Sequence, residues 1–304
     1  MKLPDHLSVS QLNTFLSCPL AYRFRYIDRI ETGTKSSSFA LGTAFHSAAE
    51  RLHKDIIAGQ AGAADDYCTA FDDALSVEFG CFDVQLKPGE SADSLHQEGR
   101  ALVELYCEHR LRQPAKLVAA ELRIEQRLVN PATREELGVP FVAYLDLVER
   151  DGGGTNVVDL KTASRAYAQG DVDTSMQLTA YGLLMLLSTG QAPATMRIDA
   201  VVRTKVPKLQ RIETRRSESD YIRFFELARV VWAAIQEGHY YPNAGWTCSN
   251  CEFARECAHW GTAAGCAGGD RVKGGVSYEA DHLGQPAAGA AGNRAAAAVA
   301  GIAR

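Results

Sequence analysis

The sequence predicts an α/β or α+β fold, a mixed sheet flanked by helices, and two changes of hydrophobic period carry that prediction. Up to residue 112 the apolar residues recur at helical spacing. From Leu117 they alternate with polar residues as in strands, and beyond residue 174 helical and strand patterns interleave.

Taken in order, Ser8 and Gln11 make a Ser-x-x-Gln capping box that opens a short helix over residues 8–15. Leu12, Phe15 and Leu16 recur on its face, and Cys18-Pro19 stops it, because proline disfavours helix at the preceding residue. A second helix is predicted over 39–57, with Phe45, Ala48, Ala49 and Leu52 inward. Two more follow over 64–79 and 91–112, and 80–90 reads as a loop. Strands over 117–129 and 139–148 flank the turn Asn130-Pro131-Ala132-Thr133, and Asp151-Gly152-Gly153-Gly154 links to a third strand over 156–161. A helix over 174–187 stops near Gly190. Strands over 196–204 and 208–213 meet around Pro207, and a long helix over 218–236 precedes a cysteine group. Thirteen of the last twenty residues are Ala or Gly, so 262–304 is expected to be disordered or at most weakly helical, outside a folded unit over 1–261.

No apolar run approaches the roughly 18–20 residues of a membrane span. The N-terminal residues contain no apolar core of a signal peptide, which points to a cytoplasmic protein with no membrane partner. Net charge −5 argues against a protein that coats nucleic acid through bulk electrostatics, but local basic patches exist. Residues 203–216 hold six basic side chains against one acid, and Arg23, Arg25 and Arg29 interleave with Tyr22, Phe24 and Tyr26. Solvated surface charge is the ordinary reading of both.

The chemistry centres on Val157-Val158-Asp159-Leu160-Lys161-Thr162. Along a strand, Asp159 and Lys161 emerge on one side and Leu160 on the other. The tight glycine link brings Asp146 beside Asp159 across an antiparallel pair. Facing carboxylates repel unless a cation lies between them, and hard oxygen ligands favour Mg²⁺ or Mn²⁺, with the Leu160 carbonyl as a further oxygen. Gln177 and Tyr181 are four apart and share a helix face, where they can hold a phosphate or orient Lys161. His46 lies on the second predicted helix with Glu50 and His53 on a similar face, but their spacing is not that of a helical zinc motif. Cys68, Cys81 and Cys107 read as small packing residues. Cys248, Cys251 and Cys257, spaced C-x2-C-x5-C, are hard to explain by packing. Cys18, Cys266 or His259 could complete a four-ligand site, and spacing leaves zinc and iron–sulfur equally open.

Assembled, the pattern resembles the PD-(D/E)XK nuclease superfamily in its RecB-like exonuclease branch with a cysteine-bound cluster. That branch includes the AddB nuclease domain and CRISPR-associated adaptation nucleases. The resemblance runs from about residue 7 to 260. It is carried by Leu-Ser-Val-Ser-Gln-Leu-Asn-Thr-Phe-Leu-Ser-Cys-Pro-Leu-Ala-Tyr-Arg-Phe-Arg-Tyr at 7–26, Gly42-Thr43-Ala44-Phe45-His46, Asp146, Asp159-Leu160-Lys161-Thr162, Gln177-x-x-x-Tyr181 and the closing cysteines. Ala143 departs from the glycine many relatives have three residues before the strand acid.

The resemblance implies a restriction-endonuclease-like core with a helical insert at about 39–112 and a cluster clasp joining both ends. His46, Asp146, Asp159 and the Leu160 carbonyl would hold Mg²⁺ or Mn²⁺. Lys161 would position water, and Gln177 and Tyr181 would orient phosphate and Lys161. Cys18, Cys248, Cys251 and Cys257 would ligate a [4Fe–4S] cluster, with structural zinc as the alternative. Arg23, Arg25, Arg203, Lys205 and Lys208 are candidate DNA contacts. The implied activity is metal-dependent exonuclease action on single-stranded or end-bearing DNA in repair, recombination or phage DNA processing. The alternatives are a CRISPR adaptation nuclease that trims spacer precursors and a non-catalytic DNA-binding scaffold. The chain has no helicase motif, so unwinding would need a partner such as a helicase, recombinase or integrase.

Overall fold

A computed structural model of the chain describes residues 2–113 and 115–261. The Ala/Gly-rich segment 262–304, Cys266 included, lies outside the described residues. Helix α1 (Val9–Ser17) starts where the Ser8 hydroxyl accepts the Gln11 N–H at 3.2 Å. That is one half of a capping box, and the Gln11 side chain itself accepts from the Tyr22 hydroxyl at 3.2 Å. The chain breaks at Cys18 and restarts as α2 (Pro19–Tyr22), with proline at the first position, where its missing N–H costs nothing. It continues as a π-helical turn, Arg23–Ile27, so the arginine/aromatic stretch is helical.

Next come β1 (Thr34–Ser36), α3 (Ser37–Ala58), α4 (Ala64–Cys81), β2 (Asp83–Gln85) and α5 (Ala92–Leu111). Strands β1 and β2 pair in parallel, which corrects the loop expected over 80–90. Three residues of exposed–intermediate–exposed pattern carry no apolar alternation to read, and the pairing is anchored by the Asp83 N–H on the Gly33 carbonyl at 2.9 Å. Cys68 and Cys107 are buried packing residues. Cys81 is not; it is exposed at the last turn of α4.

The main sheet follows: β3 (Lys116–Val129), β4 (Glu136–Asp151), β5 (Gly154–Ala163), then α6 (Gln169–Asp173), α7 (Met176–Thr189), β6 (Thr195–Val202), β7 (Lys208–Thr214) and α8 (Glu218–Gln236). The strand order is β3-β4-β5-β6-β7, with β5 and β6 parallel and the other neighbours antiparallel. A parallel pair needs a crossover, and α6–α7 supply it. A 3-10 turn (Trp246–Asn250) and α9 (Ala254–Ala258) close the described chain. This is the mixed sheet flanked by helices that the periods predict.

The two faces of the sheet bury different helices. Val157, Ile198 and Ala200 pack with α1, α7 and α8 in the main core, whereas Leu160 and Val201 pack with α3, α4 and α5. Phe45 and Leu52 of α3 are fully buried, which stabilises the layer by roughly 1.5–3 kcal/mol for each side chain. A buried ion network, Arg110–Glu149–Arg197–Asp199, ties α5 to the sheet. Among the described residues, no helix is long and apolar enough to cross a membrane.

One irregularity positions the site. The β4–β5 ladder runs from Asp151↔Gly154 to Leu147↔Val158 and stops there. Beyond it β4 pairs with Leu7 instead, through Leu7 N–H to the Pro140 carbonyl at 2.9 Å and Val142 N–H to the Leu7 carbonyl at 2.8 Å. The strands therefore fork at Asp146. Ala120 and Leu147 pack on the small Leu117/Val158 cluster, whereas Leu122 and Leu145 pack on the main core. Residues two apart in a regular strand share a face, so both strands switch face between these positions, at Glu121 and Asp146. Glu121 makes the switch with φ +47°, a left-handed conformation that costs a non-glycine residue on the order of 1–3 kcal/mol.

Candidate active site

Continuing the ladders through the fork places Glu121 opposite Asp146 and Asp146 opposite Asp159, so three carboxylates cross three strands in a row. Asp146 Oδ2 accepts the Leu160 N–H at 2.7 Å, replacing the backbone bond lost where the strands part. His46 arrives from α3 with Nδ1 4.0 Å from Asp146 Oδ2. One ligand atom each from His46, Glu121 and Asp146 lies within 4.8 Å of the others, a spacing that can hold a metal ion. Gly42 of α3 lies close to this end of β5, where a Cβ would stand 3.4 Å from Thr162 Oγ1.

Lys161 and Asp159 project together as the strand period predicts. Lys161 Nζ lies 3.1 and 3.0 Å from the two Asp159 oxygens and donates to Gln177 Oε1 at 3.0 Å. Gln177 Nε2 in turn donates to the Tyr181 hydroxyl at 2.6 Å, one turn along α7. The helix is fixed by Ser175, whose hydroxyl accepts the Leu178 N–H at 3.3 Å. Leu160 turns to the opposite face and is buried against α3–α5.

The electrostatics are those of acids crowded into a dry site. Burial, against the pull of Lys161, raises Asp159 to about 6. Burial also raises Asp146, and it raises Glu121 well above the usual range with Asp146 adding to the effect. Burial and then the Lys161 charge push His46 down to about 4, which leaves a neutral imidazole able to bind metal. Burial works against the Lys161 ammonium, but Asp159 and Asp146 outweigh it and hold the lysine charged. A cation among these groups would favour all three ionised carboxylates, so the donor set fits a hard divalent ion.

Sequence reasoning missed Glu121. It sits in an alternating run with Arg123, Glu125 and Arg127 that looks like a solvated strand edge. Its distance from Asp146 in sequence, once the hairpin turn is placed, is the signal that could have found it. His53, on the same helix as His46, is buried and hydrogen-bonded to the Tyr106 hydroxyl at 2.7 Å, away from the site.

A second cluster joins the first and last helical segments of the described residues. Cys18, at the α1–α2 break, joins Cys248, Cys251 and Cys257, and burial followed by these three other sulfurs raises the Cys257 thiol. Phe253 is buried against Leu20 and Phe24, with Phe24 and Phe253 ring centroids 5.7 Å apart. The Asn243 N–H points at Cys18 Sγ at 3.5 Å and the Gly245 N–H at Cys248 Sγ at 3.4 Å. Asn243 Nδ2 also donates to the Ser17 carbonyl at 2.9 Å, so the two regions are stitched together.

The basic residues separate by environment. Arg23 pairs with Asp28 at 3.0 Å, and Arg25 pairs with Glu252 beside the Phe253 ring. Arg203, a candidate DNA contact, is turned inward: its side chain is only 8% exposed and grips Glu98 at 2.7 Å. Lys205, on the β6–β7 connection, and Lys208, the first residue of β7, stay exposed.

Comparison with known proteins gives a fold and a family. A crystal structure from Eubacterium rectale, described as a "Putative exonuclease", matches with a TM-score of 0.51 and 13% identity over 90% of this chain and 91% of that one. At that identity the likeness is one of fold. The crystal structure of SSO0001 matches over 81% of this chain and 93% of its own at 13% identity, with a TM-score of 0.33. No curated protein gives a significant match. A profile of one nuclease family matches residues 6–258, taking in His46, the three strand acids, Lys161 and all four clustered cysteines, and by that match the chain belongs to the PD-(D/E)XK nuclease superfamily.

Proposed function

We propose that this protein is a Mg²⁺- or Mn²⁺-dependent deoxyribonuclease of the RecB-like branch, acting as an exonuclease on single-stranded or end-bearing DNA. The observation that carries this reading is the row of Glu121, Asp146 and Asp159 at a strand fork, with His46 on one side and Lys161 on the other. His46, Glu121 and Asp146 would hold the ion, with Asp159 beside them. When bound there, a divalent ion would polarise the phosphodiester and lower the pKa of a water. Lys161 has three N–H donors, of which Asp159 and Gln177 occupy two. The third is left for the attacking water or a phosphate oxygen. Gln177 fixes the lysine and Tyr181 fixes Gln177.

In this reading Cys18, Cys248, Cys251 and Cys257 would hold a [4Fe–4S] cluster, with a structural zinc as the alternative. Among the described residues the only three ligand atoms within 4.8 Å of one another belong to His46, Glu121 and Asp146. No three of these sulfurs therefore lie mutually as close as the roughly 3.8 Å that tetrahedral Zn–S bonds impose. N–H groups aimed at Cys18 and Cys248 suit cluster thiolates.

The test is degradation of end-labelled DNA in Mg²⁺ or Mn²⁺ against EDTA. Asp159→Ala should abolish it and leave the fold intact; undiminished cleavage by that variant refutes the assignment. Anaerobically purified protein should be brown, and Cys248→Ser should lose the broad visible absorption. A colourless protein carrying stoichiometric zinc rules out the cluster.

A further inference from the structure

Tyr167 sits in the link between β5 and α6, where Ser164, Arg165, Ala166 and Ala168 are exposed. One side chain grips its backbone from both sides. Gln210 Oε1 accepts the Tyr167 N–H at 2.9 Å, and Gln210 Nε2 donates to the Tyr167 carbonyl at 2.9 Å. Gln210 lies on β7 opposite Ala200 of β6, and Ala200 lies opposite Lys161 of β5. Residues directly opposite in a sheet share a face, so Lys161, Ala200 and Gln210 form a row roughly 9.6 Å long, two strand spacings. Ala200, between Lys161 and Gln210 in this row, carries only a methyl group and is fully buried.

Tyr167 packs against the core to which Ala200 belongs. Its ring packs partly buried against the main core, and burial followed by the Lys161 and Asp159 charges perturbs its phenol. Among the described residues the phenol makes no hydrogen bond, and neighbouring Arg165 makes no ion pair. The side of Lys161 that faces α7 is already taken by Gln177 and Tyr181. A side-chain clamp on one residue of an otherwise exposed link is what preorganisation of a binding group requires.

We propose that Tyr167 is a substrate-positioning residue of the nuclease centre, its hydroxyl donating to a phosphate oxygen of the DNA strand beside Lys161, and that Gln210 acts by positioning Tyr167. This rests on the nuclease reading above. A hydrogen bond from a neutral donor to a charged phosphate predicts a loss of roughly 10- to 100-fold when the hydroxyl is removed.

The test compares wild type, Tyr167→Phe, Gln210→Ala and the double variant on an end-labelled oligonucleotide in Mn²⁺, reading kcat, KM and melting temperature. Tyr167→Phe keeps the ring and should lose at least about tenfold in kcat/KM with an unchanged melt. Gln210→Ala should lose comparably, and the double variant should be little worse than Tyr167→Phe alone, because Gln210 acts through the hydroxyl. A Tyr167→Phe enzyme within twofold of wild type overturns the proposal while leaving the nuclease reading in place. Fully additive losses overturn the role of Gln210. A wild-type protein that leaves DNA uncut in Mn²⁺ and in Mg²⁺ overturns both the nuclease reading and this proposal.

Discussion

Replacing Lys161 with methionine removes the ammonium and keeps most of the stem volume. In the wild type that ammonium sits 3.0 Å from Asp159 Oδ2 and 3.0 Å from Gln177 Oε1, and the side chain is 30% exposed, enough for substrate to reach the remaining N–H. Loss of one preorganised donor of this kind costs about 10²–10³ in rate, or about 2.7–4 kcal/mol, with little change in KM. The fold should feel it too. At 3.0 Å the ammonium–carboxylate attraction is about 5.5 kcal/mol in an effective dielectric of 20. Desolvation offsets part of this. Breaking a buried pair nets about 3–5 kcal/mol, and the partial exposure of Lys161 places it at or below the lower end. The assay is single-turnover cleavage at saturating Mn²⁺, paired with thermal melts in EDTA and in Mn²⁺. Cleavage within threefold of wild type, or a loss confined to KM, would refute the reasoning. The melting deficit should shrink in Mn²⁺, since the ion stands in as a countercharge for Asp159.

Glu121→Gln should weaken Mn²⁺ binding by calorimetry and stabilise the metal-free fold. Because Glu121 and Asp159, the latter at about 6, are raised, the native state binds more protons than the unfolded chain. Their contribution is present at low pH and lost as pH rises through the raised values, so wild type in EDTA should lose more stability between pH 5 and 8 than Glu121→Gln does. Glu149→Gln should cost about 3–5 kcal/mol in urea unfolding, because Glu149 is 1% exposed between Arg110 and Arg197 and its loss leaves two buried guanidinium groups under-compensated. Gly99→Ala should lower the melting temperature, since its Cβ would fall 1.8 Å from Phe71 Cζ and overpacking costs about 1–3 kcal/mol or more. Gly80→Ala, with nothing within 4 Å of the added methyl, should be neutral or gain about 0.4–1 kcal/mol.

The residues that could be read from sequence share one property: their relation is set by local periodicity. Asp159 and Lys161 are two apart on a strand, Gln177 and Tyr181 four apart on a helix, and the Asp151–Gly154 link turns β4 back onto β5. Glu121 escaped because its role depends on a φ of +47° and on a strand switching faces, neither of which leaves a residue pattern. Arg203 read as a surface cation because its partner Glu98 is 105 residues away. Strands β1 and β2 are too short and too polar to alternate, and they pair only because α3 and α4 bring them together. The Gln210 clamp on Tyr167 spans 43 residues and joins two positions that look ordinary alone.

The central claim is that the fork between β4 and β5 holds a catalytic metal. Anomalous diffraction from crystals soaked in Mn²⁺ tests it most directly. The account predicts a strong peak bounded by His46, Glu121 and Asp146, lost in an Asp146→Asn crystal. Saturating Mn²⁺ that leaves this position empty while the wild-type protein cleaves DNA would contradict it.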